Sequence, residues 1–173
     1  MRNSNPKIAT GTLRIVAGRL RGSRINVPDR AGLRPTPDRV RETLFNWLTP
    51  FLPGVHCLDL YAGTGALGIE AMSRGAGACS FVERDRDLCR ALSDNLVRLR
   101  VADADVVNAD AQSYLAGPAR PFGLVFLDPP FDARLWTPAA HALEQGGWLV
   151  EGGFAYVEGP RDLQRCRRTG FPI

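Results

Sequence analysis

No apolar run in the sequence reaches membrane-spanning length, because Asp, Glu or Arg interrupts each stretch well before it. The first residues, Met1-Arg2-Asn3-Ser4-Asn5-Pro6, also lack the apolar segment of a secretory leader. Both absences lead to the expectation of a cytoplasmic protein that contacts no membrane. Cysteine is sparse: Cys57, Cys79, Cys89 and Cys166 show no C-x-x-C spacing, and neither His56 nor His141 completes a metal-site pattern with them. No metal is therefore expected, and Cys57 and Cys79, set in apolar strand-like runs, read as small buried hydrophobes. No internal repeat or low-complexity tract is visible. What remains is 173 residues, 45% hydrophobic and 23% charged, enough for one globular domain with a real core and a short appendage, expected to be monomeric.

Acidic residues are scarce at one end. Residues 1–45 carry ten Arg or Lys against Asp29, Asp38 and Glu42, a local charge of +7, whereas the rest of the chain carries −3. A basic leader on a mildly acidic body suits contact with phosphates by the leader and a separate task for the body. Residues 1–12 read as a flexible tail, 13–53 as a basic hairpin and helix suited to meet phosphates, and 54–173 as the main domain. Within the leader, Leu13 to Val27 alternates and is broken at Gly18 and Gly22, which predicts a β-hairpin bearing Arg14, Arg19, Arg21 and Arg24. Thr36-Pro37 predicts a helix start, with Thr36 as N-cap and Pro37 at the first position. That helix is expected to bury Val40, Leu44, Trp47 and Leu48, to leave Arg39 and Arg41 on its flanks, and to stop before Pro50 or Pro53.

After Gly54 the rhythm changes to strand, turn, helix, and repeats. Strands are predicted at Val55–Tyr61, Ala78–Glu83, Asp105–Asn108, Gly123–Asp128 and Phe154–Glu158. Helices are predicted at Ala66–Ser73, Asp85–Arg100, Gln112–Leu115 and Leu135–Glu144. Alternating β and α elements with apolar strands imply an α/β fold with a mainly parallel sheet covered by helices on both faces. Ligands of such sheets bind at the carboxyl ends of the strands.

The motifs fall at those ends. Gly63, Gly65 and Gly68 match G-x-G-x-x-G between the first of these strands and its helix, and Glu83 ends the second strand. This turn, with Tyr61, Ala62, Thr64 and Arg84 around it, suits an adenosine cofactor whose ribose hydroxyls Glu83 accepts. Glycines alone do not separate NAD from S-adenosylmethionine (SAM). Asp59, four residues before Gly63, is placed to meet the methionine ammonium of SAM. Asp110 can accept from the adenine amino group, with the Ala111 N–H donating to the ring. Ordinary strand-end capping is the competing reading of Asp59 and Asp110.

Asp128-Pro129-Pro130-Phe131 decides the matter in favour of SAM. An aromatic amine is a poor nucleophile because its lone pair is delocalised into the ring. The Asp128 carboxylate and the Pro129 carbonyl can each accept one N–H, holding the amine for in-line methyl transfer. Pro130 stiffens the loop and Phe131 can stack on the base, which must be unpaired or flipped out.

These residues together resemble the RsmD family of bacterial methyltransferases, which modify a guanine N2 of small-subunit (16S) ribosomal RNA. The likeness runs from about Leu13 to Glu158 and is strongest at Gly32 to Thr36 continuing through Asp38 to Asn46, at Leu58 to Gly68, and at Asp128 to Phe131. It implies a Rossmann-like SAM-dependent methyltransferase fold with an N-terminal hairpin, and an rRNA substrate met within a small ribosomal subunit or its assembly intermediate. It also implies that the hairpin and the Arg34-to-Asn46 segment, with Arg34, Arg39 and Arg41, engage RNA and close over the cofactor. The family's sheet ends in two further strands. Here the residues from Gly159 onward show no pair of alternating apolar strands, so those two are expected to be missing. Three rival readings are a DNA adenine or cytosine amino-methyltransferase, an NAD-dependent oxidoreductase, and a non-catalytic RNA-binding or assembly factor on the same fold. The first usually needs a larger base-recognition region, and the second leaves Asp128 to Phe131 unexplained. Intact Asp128 and Glu83 weigh against the third.

Overall fold

A computed structural model describes residues 10–31, 33, 36–130 and 135–158, and the backbone of 165–168. Strands β1 (Thr10–Arg14) and β2 (Arg24–Pro28) pair antiparallel, from Thr10 opposite Pro28 to Arg14 opposite Arg24. The expected hairpin is therefore present. Helix α1 (Asp38–Leu48) follows, ending in a 3₁₀ turn at Thr49–Phe51. The alternating part then runs β3 (His56–Asp59), α2 (Ala66–Ser73), β4 (Ala78–Glu83), α3 (Arg86–Arg98), β5 (Ala104–Asn108), α4 (Ala111–Leu115), β6 (Phe122–Leu127), α5 (Trp136–Gln145) and β7 (Leu149–Val157). A last strand, β8 (Arg165–Arg168), closes the order. Among the described residues no helix is long and apolar enough to cross a membrane.

The main sheet has the order β5-β4-β3-β6-β7-β8, with the first five strands parallel and β8 antiparallel to β7. Strand alternation divides its side chains between two cores. Cys57, Phe81, Leu124 and Phe126 face a core shared with α1, α2, α3 and the hairpin residues Leu13, Ile15, Leu20 and Ile25. Leu58, Val82, Val125 and Leu127 face the other core, with Leu115, Leu143 and Trp148. Apolar residues on both faces are what a parallel sheet covered by helices requires. Chain order reverses between β3 and β6, and this opens a crevice at their carboxyl ends.

Three expectations need correction. First, β8 pairs with β7, Arg168 standing opposite Phe154 and Arg165 opposite Val157, so one strand does follow β7. Pairing along a sheet edge uses backbone groups, and a charged sequence suits an edge strand, so apolar alternation was not required. Second, Pro37, not Thr36, is the N-cap residue of α1, and no side chain caps that end. Third, α1 buries Arg41, Leu44, Phe45 and Leu48, while Val40 is 42% and Trp47 70% exposed.

The rotation of α1 has an electrostatic cause. Glu70 on α2 is fully buried, and Arg41 reaches it at 3.2 Å. Arg74 binds the other carboxylate oxygen at 2.8 Å, and the N–H groups of Val16 and Ala17 donate to the same carboxylate at 2.9 and 3.0 Å. A buried carboxylate demands such partners, and turning Arg41 inward brings Phe45 in beside it, 5.8 Å from the ring of Phe126. The hairpin is clasped to the end of α2 by further bonds: Arg19 N–H to the Ser73 carbonyl at 2.8 Å and Leu20 N–H to Ser73 Oγ at 3.0 Å. At Gly18, with φ +81°, a Cβ would lie 2.0 Å from the Ser73 carbonyl oxygen, so only glycine permits this approach.

Candidate active site

The glycine turn is held from both sides by carboxylates. Asp59 Oδ2 accepts from Gly68 N–H at 3.0 Å, Glu83 Oε2 accepts from Gly63 N–H at 2.9 Å, and Glu83 Oε1 accepts from Asp85 N–H at 2.8 Å. Gly65 adopts φ +75°, and a Cβ there would strike Leu92 Cδ1 at 2.3 Å, so this position needs glycine for both conformation and space. On the next strand end, Asp110 caps α4, Oδ1 accepting from Gln112 and Ser113 N–H at 3.0 and 3.3 Å. Capping is thus real for Asp110, and Oδ2 remains available to a ligand.

These ends surround a cavity of about 560 Å³. Asp59, Tyr61, Ala62, Gly63, Thr64, Glu83, Arg84, Asp110 and Ala111 line it, as do Asp128, Pro129 and Pro130 from the loop after β6. Gly65 shapes the turn without lining the cavity. Phe131 and Arg34 lie outside the described residues. Arg14, Arg19, Arg21, Arg24 and Arg39 are exposed, and Arg14 and Arg24 flank an open groove of about 610 Å³ along the hairpin. Arg41 is corrected: it is fully buried between Glu70 and Asp38, where no phosphate reaches it.

Two lining groups, Arg30 and Ala31, belong to no motif of the sequence. Arg30, Ala31, Leu33 and Thr36 line the cavity from the segment between β2 and α1. Arg30 pairs with Asp87 and, at 3.8 Å, with Asp85 at the head of α3. At the segment's other end, the Thr36 hydroxyl donates to Glu158 Oε2 at 3.5 Å. Glu158 directly follows β7, so reading every strand end for a carboxylate would have found it.

The electrostatics of the cavity are unbalanced. Burial, with smaller contributions from Asp128 and Glu83 working against the Gly68 hydrogen bond, pushes the Asp59 carboxyl up to about 8. Burial, with Glu158 second, pushes Asp128 up to about 7. Among the described residues no basic side chain forms a salt bridge with Asp59, Glu83, Asp110, Asp128 or Glu158. Clustered acids that no basic side chain pairs suit a ligand that brings positive charge and N–H donors.

A family model described as Conserved hypothetical protein 95 matches residues 13–170. "Ribosomal RNA small subunit methyltransferase D" of Escherichia coli strain K12 is 48% identical over 149 residues, which cover 86% of this chain and 75% of that protein. The chain belongs to the RsmD family. A solved structure titled putative methyltransferase yhhF from Escherichia coli has 45% identity and a TM-score of 0.82, with 88% of this chain and 84% of that one covered. A putative SAM-dependent methyltransferase from Streptococcus mutans, at 20% identity and a TM-score of 0.67, covers 90% of this chain and 43% of that one and shares the fold. The chain thus carries its acidic cavity on a SAM-dependent methyltransferase fold.

Proposed function

We propose that the chain transfers a methyl group from SAM to the exocyclic N2 of a guanine in small-subunit ribosomal RNA, acting on the subunit or its assembly intermediate. One observation carries this reading: the Asp128-Pro129-Pro130 loop opens into the same cavity as the carboxylates ending β3, β4 and the strand before α4. The names of the relatives support ribosomal RNA as the substrate. Asp59 would hold the methionine ammonium, Glu83 the ribose hydroxyls through lone pairs left over by Gly63 and Asp85, and Asp110 with the Ala111 N–H the adenine. The fit rests on the buried, cation-free Asp59 carboxyl, which a bound ammonium would neutralise. When bound, SAM would supply a methyl group on a positively charged sulfur, the S–C bond breaking in the transfer to leave a neutral thioether.

The protein's own part is positioning and proton handling. Ionised Asp128 accepts one amine N–H and the Pro129 carbonyl the other, so the nitrogen lone pair is aimed and enriched. As the new N–C bond forms, the surplus proton on nitrogen passes to Asp128, whose carboxyl near 7 releases it to water. The exposed Arg14, Arg19, Arg21, Arg24 and Arg39 bind RNA phosphates and set its register without reading sequence. Radiolabelled SAM incubated with small subunits lacking this family's modification tests the reading, the labelled base being mapped by mass spectrometry. Label on a guanine N2 is expected. Label on another base, or none on the RNA, overturns it.

A further inference from the structure

Glu158 is the one carboxylate of the cluster that neither cofactor binding nor Asp128 chemistry uses. Its backbone N–H donates to the Leu127 carbonyl at 2.9 Å, so it stands beside Asp128 across two adjacent parallel strands. The Tyr156 hydroxyl at 3.4 Å and the Thr36 hydroxyl at 3.5 Å both donate to Oε2. No described group donates to Oε1. The side chain is half-buried, and its charge is felt at Asp128. Two neighbouring carboxylates without a cation repel one another, and the arrangement is favourable when a ligand brings two adjacent N–H donors.

A flipped base is read along its Watson–Crick edge. Guanine presents N1–H directly beside its exocyclic amine on that edge. Adenine and cytosine instead present an unprotonated ring nitrogen beside theirs, which a carboxylate would repel. Resting on the guanine N2 reading above, we propose that Glu158 selects the base: its free Oε1 accepts guanine N1–H while Asp128 accepts from the amine. Thr36 and Tyr156 aim the carboxylate, and Thr36 ties that aim to the segment lining the cavity.

The test uses small subunits rebuilt with a synthetic RNA segment in which the mapped acceptor is either guanosine or 2-aminopurine riboside. 2-Aminopurine keeps the amine but has no N1 proton. Wild type is expected to favour guanosine in kcat/KM by roughly 10- to 100-fold. In Glu158→Gln, whose amide can donate to an unprotonated N1, that preference should fall by about tenfold or more, with SAM affinity retained. Comparing ratios cancels the accompanying loss of the guanine carbonyl. Tyr156→Phe, which frees the carboxylate while keeping the ring, should move the ratio the same way by a smaller factor. It also keeps the idea testable should the Gln variant fold poorly. A purely structural role would slow both substrates alike, and an unchanged ratio in both variants overturns the assignment of Glu158 alone. Wild type that never labels guanosine N2 overturns the underlying reading, and the assignment with it.

Discussion

Two carboxylates of the same small domain are buried and treated in opposite ways. Glu70, fully buried on α2, has two arginines and two backbone N–H groups on its oxygens. Asp59, 2% exposed at the end of β3, has one backbone N–H and no cation. The first region ties the hairpin, α1 and α2 together through one carboxylate. The second keeps an electrostatic demand unmet, and Asp128 repeats the pattern beside it. Within this fold, a saturated buried charge marks structure and an unsaturated one marks a binding site. Each variant below should separate stability from function along that line.

The largest effect is expected at Asp128. Asp128→Ala should lower methyl transfer by roughly 10²- to 10³-fold, as the removal of a positioned transition-state partner does. SAM binding and the melting temperature should be retained. In wild type, activity should rise with pH as Asp128 ionises and level off above about 7, since only the carboxylate accepts the amine N–H. Single-turnover transfer across pH 5 to 9, flanked by SAM titrations, checks both points; undiminished methylation in the variant would sink the mechanism.

Glu70→Gln should do the reverse. It leaves Arg41 and Arg74 buried with a weakened partner, at a cost of about 3–5 kcal/mol, a large share of a typical domain's stability. Urea unfolding should show the loss, and any protein still folded should bind SAM normally. Arg41→Met should also destabilise, with no loss of RNA affinity in the folded fraction. Weaker RNA binding at constant stability would restore Arg41 to the RNA-contacting set.

Legibility in the sequence followed the same division. The strand ends could be read because a parallel sheet fixes which residues follow it: Asp59, Glu83, Asp110 and Asp128 all fell where periodicity placed them, and all reach one cavity. Apolarity alone predicts a buried face for helix α1 about one position away from the observed one. Val40 and Trp47 are apolar, yet the need of Glu70 for a cation outweighed them and turned Arg41 and Phe45 inward. Local sequence makes Thr36 a helix cap, whereas its hydroxyl serves Glu158, 122 residues away. Strand β8 was invisible because edge pairing asks little of side chains. Long-range partners decide what local pattern cannot.

Asp59→Asn offers a finer test. Removing a buried carboxyl that has to take up a proton to stay neutral should raise the stability of the ligand-free protein at pH 7 while weakening SAM binding by about 10- to 100-fold. The sign of the pH effect follows from a folded pKa of about 8 against an ordinary value of 3.8. Between those values the folded state binds more protons than the unfolded one, so this group's stabilising contribution is complete below about pH 4 and declines as pH rises towards 8. Ligand-free wild type should therefore lose more stability over that window than Asp59→Asn. Binding of SAM at pH 7 should release a proton, seen by calorimetry in buffers of different ionisation enthalpy, and the variant should release less. Equal release from both proteins would show that Asp59 does not meet the ammonium.

The smallest effects belong to the exposed arginines, and they sharpen the comparison from outside. Arg39 and Arg41 are two positions apart on α1, yet one faces solvent and the other is enclosed. Phosphate contacts act by releasing counterions, so each one lost should weaken RNA binding modestly and flatten its salt dependence by about one unit of slope. Arg39→Ala and the pair Arg19→Ala with Arg21→Ala should therefore reduce affinity for the small subunit without changing melting temperature, SAM affinity or the base that is labelled. The slope should drop by about one for the first and about two for the second. Filter-binding titrations from low to moderate salt read this directly. A variant that bound as tightly as wild type, with the same slope, would remove its arginines from the RNA-facing surface, leaving α1 to serve the core alone.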